Sequence, residues 1–164
     1  MASGVRFRSV QASPNEEIAV TTSAQPSILQ QSVEQARHWI DETAAQLGHD
    51  DKRAAYRALK AVLHALRDRS TVAESAQLAS QLPELIRGAF YENWRPAGTP
   101  EHYRDAAAFL DRVRDGAGLA GETEASFVVS AVMTVLRQHV SRGELEDVLA
   151  TMPTPVRNLL ETDK

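Results

Sequence analysis

The sequence repeats itself at a fixed interval, and this repeat restricts the possible fold more than any other feature. Residues 39–90 align with residues 109–160 without a gap, and ten of the 52 positions are identical. We call the shift that brings 39 onto 109 the repeat interval. Ordinary residue frequencies would give roughly three or four identities over that length. Helix-ending glycines, helix-starting prolines and apolar core positions all recur in register. The chain is therefore predicted to contain two copies of one helical unit that bury a shared apolar core.

Helix start and stop signals divide each copy into four helices. In the first copy, a capping box at Ser32 opens a helix that Gly48 ends, and Asp50 caps a second helix through about Arg69. Thr71 and Pro83 mark the starts of the third and fourth helices. The corresponding starts in the second copy are predicted at Thr99-Pro100, about Glu122, Ser141 and Pro153, and its first helix is expected to run to about Asp115.

These signals predict an all-α fold. Two tandem four-helix repeats, about 32–90 and 100–161, are expected to pack into one compact helical bundle with pseudo-twofold symmetry. Residues 1–30 lack a helical period and are predicted to form a flexible N-terminal tail. The expected division is repeat one over 31–92, a linker rich in proline over 93–100 and repeat two over 101–164.

Composition narrows the class of protein. The net charge is −4, so nucleic acid is an unlikely partner, because dedicated nucleic-acid binders carry a basic excess. The chain has no cysteine, which excludes disulfides and cysteine-ligated metal sites. Apolar runs are far shorter than the roughly twenty residues of a membrane span, and no secretory signal is apparent. A cytoplasmic protein without a membrane partner is expected.

A basic stripe on the second helix is the most suggestive binding feature. Its five side chains fall within about 80° of arc at 100° per residue, and they are Arg53, Arg57, Lys60, His64 and Arg67. Such a stripe can hold phosphate, an acidic protein segment or a nucleic-acid backbone. The other interpretation is a solvated helix face that Asp68 or Glu84 partly neutralises. Of the corresponding positions in repeat two, Arg137 alone keeps the charge.

A second candidate lies where repeat one ends. Phe90, Tyr91, Trp94 and Arg95 cluster there without a counterpart in repeat two. Trp, Tyr and Arg are typical of interaction hot spots, although these rings can equally pack the linker. Arg87 recurs as Arg157, and Arg67 recurs as Arg137, which favours a structural role in each unit for both pairs.

Motifs for catalysis are missing. The sequence has no nucleophile elbow, phosphate-binding loop or dinucleotide fingerprint. Glu34, His38 and Asp41 share a helix face and can in principle ligate a metal, but a surface ion-pair role is favoured because the set lacks a second histidine. No catalytic residue, metal site or cofactor is predicted.

Residues 53–94 also carry a resemblance. The segment RAAYRALKAVLHALRDRSTVAESAQLASQLPELIRGAFYENW resembles an uncharacterised bacterial family, the domain-of-unknown-function family number twenty-two sixty-seven. The similarity is specific over that segment and plausible over 34–160. The resemblance implies an all-helical bacterial protein and assigns no catalytic residues.

Two functions remain open from the sequence. The first is a non-enzymatic binding or scaffold module, which uses the basic stripe and the aromatic cluster to hold a protein partner or a second copy of the chain. The alternative is a small-ligand or phosphate-binding sensor or enzyme, with a site between the two repeats. That site is expected to be lined by His64, Arg67, Arg87, Tyr91 and Trp94.

Overall fold

A computed structural model describes residues 26–162 of the chain. This part is all-helical and packs into one compact body. Its helices are α1 (Ile28–Leu47), α2 (Lys52–Arg69), α3 (Val72–Ser80), α4 (Glu84–Tyr91), α5 (Ala106–Ala117), α6 (Glu122–His139), α7 (Arg142–Ala150) and α8 (Thr154–Glu161), with a 3₁₀ turn at Pro96–Gly98. The predicted tail lies outside the described residues except for 26–30, of which 28–30 belong to α1 and Ser27 caps it.

Helix bounds follow the repeat interval closely. Helices α2, α3 and α4 begin and end one repeat interval before α6, α7 and α8, and α1 ends one interval before α5. Packing crosses between the halves: α1 lies against α6, α5 lies against α2, and α3 lies against α7. A twofold relation would generate these pairings, although the pseudo-symmetry itself stays a prediction.

Three predicted helix starts are wrong. Helix α1 begins before Ser32, because Ser27 and Gln30 form the capping box through reciprocal bonds of 3.2 and 2.9 Å. Asp51, rather than Asp50, caps α2 by accepting from two first-turn amides. Helix α5 begins at Ala106, well after Thr99-Pro100, because the carboxylate of Asp105 caps it. The hydroxyl caps at Thr71 and Ser141 are confirmed.

One apolar core runs through both halves. Its largest fully buried members come from each half alike and include Leu63, Leu66 and Phe90 from the first and Phe109, Met133 and Leu160 from the second. Because the core is shared, neither half buries its apolar face alone. Among the described helices, none is by itself long and apolar enough to span a membrane; α5 and α6 reach that length and composition only as a pair bent by 85°.

The segment between the halves is tied to the end of α2. The amide of Glu101 donates to the carbonyl of Asp68 at 2.7 Å, and Nε of Arg69 donates to the carbonyl of Tyr103 at 3.0 Å. The connection that follows Trp94 therefore lies along α2 up to the start of α5.

Candidate functional site

The basic stripe of α2 splits along its length. Arg53 and Arg57 are exposed at the start of the helix. Lys60 forms an ion pair with Glu92 at 2.5 Å, and this pairing lowers the pKa of Glu92. His64 is half-buried, with Nε2 2.7 Å from the carbonyl oxygen of Ala89, and burial lowers its pKa. The stripe thus presents free charge to solvent only near its N-terminal end.

Arg67 is buried inside the first half. Its guanidinium donates to the carbonyl oxygens of Phe90 and Glu92 at 2.5 and 3.0 Å and pairs with Asp68 at 2.7 Å. In the second half, Arg137 donates to the carbonyl of Leu160 at 2.5 Å. Both arginines thus bond the end of the fourth helix of their own unit, which agrees with the structural role predicted for the pair.

Arg87 has the same kind of role at a different place. Its guanidinium donates to the carbonyls of Ala79 and Leu82 at 2.8 and 3.0 Å, where α3 ends and its last carbonyls need donors from outside the helix. Arg157 repeats this arrangement with Leu149 and Met152 at 3.0 and 3.3 Å. The guanidinium of Arg87 is therefore engaged at the end of α3.

The aromatic cluster is part core and part surface. Phe90 is fully buried, whereas Tyr91 is 37% exposed and packs its ring 5.5 Å from that of Trp94. Trp94 is half-buried, and its indole nitrogen has no hydrogen-bond partner among the described residues. Arg95 is exposed and lines a cleft of about 210 Å³ together with Arg67. The predicted residues therefore do not converge on one cavity.

A different set of polar residues meets between the halves. His38 and Glu42 lie one turn apart on α1, and His139 ends α6. Nε2 of His38 is 3.1 Å from Oε1 of Glu42, and Nε2 of His139 contacts Oε2 of the same carboxylate. One ligand atom from each residue lies within 4.8 Å of the others. We call these three residues the histidine–glutamate cluster.

Trp39 fixes the position of His139. The indole and imidazole rings stack with centroids 4.8 Å apart and planes 27° from parallel. Trp39 is itself buried in the shared core, so this stacking holds the imidazole at the edge of the apolar interior. The carboxylate of Glu42, which is partly shielded from solvent, can then bridge the two histidines.

An open cleft of about 410 Å³ adjoins the cluster. Both histidines line it together with Gln35, Trp39, Gln81 and Pro83, and we call it the Trp39 cleft. Gln81 is held in place because its amide group bonds the backbone and hydroxyl of Ser141 at 2.8 and 3.1 Å. A small ligand can therefore reach the cluster from solvent.

Sequence reasoning missed two members of the cluster. The metal-binding alternative weighed there used Glu34, His38 and Asp41, but Asp41 pairs with Lys52 at 2.9 Å and Glu34 is exposed. Glu42 and His139 are far apart in the sequence, so no local spacing connects them. The repeat offered one signal. One repeat interval away, Arg112 stands in place of Glu42 and Arg69 stands in place of His139. A scaffold common to both units does not explain this change of side chain.

Two imidazoles and a carboxylate form a known type of ligand set for zinc and for other first-row divalent metals. Ligand atoms around such an ion lie about 2.0–2.2 Å from it, which places them roughly 3 to 3.5 Å from one another. The three ligand atoms of the histidine–glutamate cluster lie within 4.8 Å of one another, so reaching that spacing requires small side-chain adjustments in the cluster. Three protein ligands would leave further positions open toward the Trp39 cleft.

Comparison with known proteins places the chain in a family. The model of the family described as an uncharacterized conserved protein, DUF2267, matches residues 36–159. The chain belongs to this family. The search of curated proteins finds no match. The matched residues include the histidine–glutamate cluster, the basic stripe and the aromatic cluster. The first two turns of α1 precede the match.

Proposed function

We propose that this protein binds a divalent transition metal, with zinc as the reference ion, at the histidine–glutamate cluster, and that the metal site takes a small ligand from the Trp39 cleft. The supporting observation is the meeting of His38, Glu42 and His139 at the boundary of the two halves. This proposal takes up the alternative of a small-ligand site between the repeats, and it moves that site from α4 to the contact of α1 with α6.

The site has the chemistry of an open metal centre. A bound ion would neutralise the carboxylate of Glu42 and take its nitrogen ligands from neutral imidazoles. The positions left open can bind water or an anionic or carbonyl group of a ligand, which the ion polarises as a Lewis acid. Trp39 offers an apolar wall and Gln35 an exposed amide for such a ligand.

Isothermal titration of the untagged full chain with zinc chloride tests the proposal. We expect one site per chain in the wild type. Removal of a ligand in His139→Ala or Glu42→Gln should weaken binding by at least roughly ten-fold. His102→Ala is the matched control, since His102 is an exposed histidine outside the cluster. Equal binding by all four proteins would overturn the proposal.

Self-association is a second candidate function, in line with the binding module predicted from the sequence. The supporting observation is a group of apolar side chains at the start of α1, where Ile28 and Leu29 are 79% and 78% exposed. Helix α4 begins beside them, since Ser32 Oγ donates to Glu84 at 3.2 Å, and it adds the exposed Leu85. Apolar surface of this kind is typical of contacts between proteins.

Light scattering coupled to gel filtration tests this candidate. A wild-type dimer that becomes a monomer in Leu29→Asp would support it. Phe127→Asp is the control, because Phe127 is 53% exposed on α6, away from the start of α1. A wild-type monomer at all accessible concentrations would exclude self-association, and the basic stripe and aromatic cluster would then remain the predicted surface for another protein.

A further inference from the structure

A second cleft lies at the positions that correspond to the Trp39 cleft after a shift of one repeat interval. Arg69, Thr151, Met152 and Pro153 line it where His139, Gln81, Leu82 and Pro83 line the first. Its volume is about 450 Å³, and the remaining wall comes from His102, Tyr103 and Arg104, in the segment before α5. We call it the Arg69 cleft.

The Arg69 cleft is basic, whereas the lining of the Trp39 cleft has no arginine or lysine. Two arginines and a histidine line it, and its lining includes no carboxylate. Three carboxylates near in sequence have other partners: Asp68 pairs with Arg67 at 2.7 Å, Glu101 pairs with Arg112, and Asp105 caps α5. The residues that line the cavity are therefore basic without an acidic residue among them.

Arg69 is partly ordered before any ligand binds. Nε of Arg69 donates to the carbonyl of Tyr103 at 3.0 Å, and its guanidinium lies 5.6 Å from the Tyr103 ring centroid. Arg112 lies against the same ring at 4.0 Å. Because Arg69 engages Nε with the backbone, its terminal nitrogens stay available, and Arg104 and His102 make no hydrogen bond or ion pair with any described residue.

Tyr103, which also lines the cleft, carries a hydroxyl group without a hydrogen-bond partner among the described residues. This hydroxyl is buried. Burial raises the pKa of this phenol, so the hydroxyl stays protonated and can act as a donor. An unpaired buried hydroxyl costs free energy unless a ligand or water satisfies it.

We propose that the Arg69 cleft binds a small anion of the phosphomonoester class. Guanidinium groups present paired donors that match phosphate oxygens, and a histidine adds a donor that strengthens when protonated. The volume accommodates a phosphate group together with a modest organic substituent. This inference is independent of the metal proposal, since the two clefts share no lining residue.

Titration with inorganic phosphate, followed by ³¹P line broadening and calorimetry, tests the inference. The wild type should bind phosphate, and sulfate of equal ionic strength should compete. Arg104→Ala and His102→Ala should each weaken binding by roughly ten-fold, as expected for the loss of a charge-assisted hydrogen bond. Both side chains are exposed, so neither substitution should disturb folding.

Arg53→Ala and Arg57→Ala are the controls, since these exposed arginines belong to the basic stripe of α2. Unchanged phosphate binding in both controls, together with weaker binding in Arg104→Ala and His102→Ala, supports the Arg69 cleft, and unchanged binding in all four variants would overturn the inference. Loss of binding in the α2 variants alone would assign phosphate to the stripe and overturn the inference. Absence of phosphate binding by the wild type at millimolar concentration would overturn it as well, whatever the zinc titration shows.

Discussion

The imidazole of His139 contacts the carboxylate of Glu42, and so joins the last turn of α6 to α1 across the boundary between the two halves. One repeat interval away, Arg69 stands at the position that corresponds to His139, and Arg112 stands at the position that corresponds to Glu42. The two copies of the helical unit thus form two corresponding clefts, one beside the histidine–glutamate cluster and one lined by arginines.

His139→Ala should lower the free energy of unfolding by about 1 kcal/mol in the absence of metal, because it removes a hydrogen bond and the stacking on Trp39. Zinc at 100 times the wild-type dissociation constant should stabilise the wild type by about 2.7 kcal/mol and a variant with ten-fold weaker binding by no more than about 1.4 kcal/mol. Urea denaturation with zinc and with a chelator measures both effects. Equal stabilisation of the two proteins would contradict the assignment of the ligand.

Arg67→Met should destabilise the protein by about 3 kcal/mol, because it leaves the carbonyls of Phe90 and Glu92 without their buried donor. Arg57→Met, on the exposed face of the same helix, should change stability by no more than about 0.5 kcal/mol. Urea denaturation of both variants at pH 7 checks the difference. Similar losses of stability in the two variants would show that the bonds from Arg67 to the end of α4 do not stabilise the fold.

Glu144 gives a pH-dependent prediction. Its carboxyl is buried where α7 packs on α3, and burial together with the charges of Glu74 and Asp147 raises its pKa above the ordinary value of 4.5. The fold favours the neutral carboxyl of Glu144. The contribution of this group to the free energy of unfolding is therefore present at acid pH and is lost as the pH rises through the raised pKa.

Glu144→Gln should therefore make the protein more stable than the wild type at pH 7, and the difference should shrink toward zero at pH 4. Chemical denaturation at several pH values measures this trend. Glu146→Gln serves as the control, because Glu146 is exposed and paired with Arg142 at 2.6 Å. A gain that persists unchanged at pH 4 would contradict the electrostatic cause.

Gly116 permits the close approach of α5 to α2. A Cβ atom at this position would lie 3.1 Å from Cβ of Ala61. Gly116→Val should destabilise the protein by about 1–3 kcal/mol, because the larger side chain forces the two helices apart. Gly88→Val, at a helical glycine with open space around it, should have a much smaller effect in the same thermal or urea melt.

The sequence predicted the scaffold well where local chemistry decides it. Helix α6 begins at Glu122 as predicted, and Thr71, Ser141 and Gly48 cap their helices as expected, because each cap depends on groups within one turn. Local signals were misleading at Ser32, where the residue lies inside a longer helix and turns its hydroxyl to Glu84 on α4.

The site was harder to predict because it forms between elements that are distant in sequence. The five residues of the basic stripe lie on one helix, α2, but helical geometry alone could not show that Arg67 turns inward to the carbonyls of α4. Similarly, Thr71 and Ser141 cap their helices, but Glu74 and Glu144 do not return the second bond of a capping box. Each glutamate instead has a carboxylate oxygen buried where α3 packs on α7. Tertiary packing decides which polar residues meet.

The most direct test of the metal centre is an anomalous-difference map from crystals of the full chain grown with zinc. The proposal predicts one strong peak at the α1–α6 contact, about 2.0–2.2 Å from the imidazole nitrogens of His38 and His139 and from the carboxylate of Glu42. A map without a peak there, or with zinc bound only at other surface histidines such as His49 or His102, would contradict it.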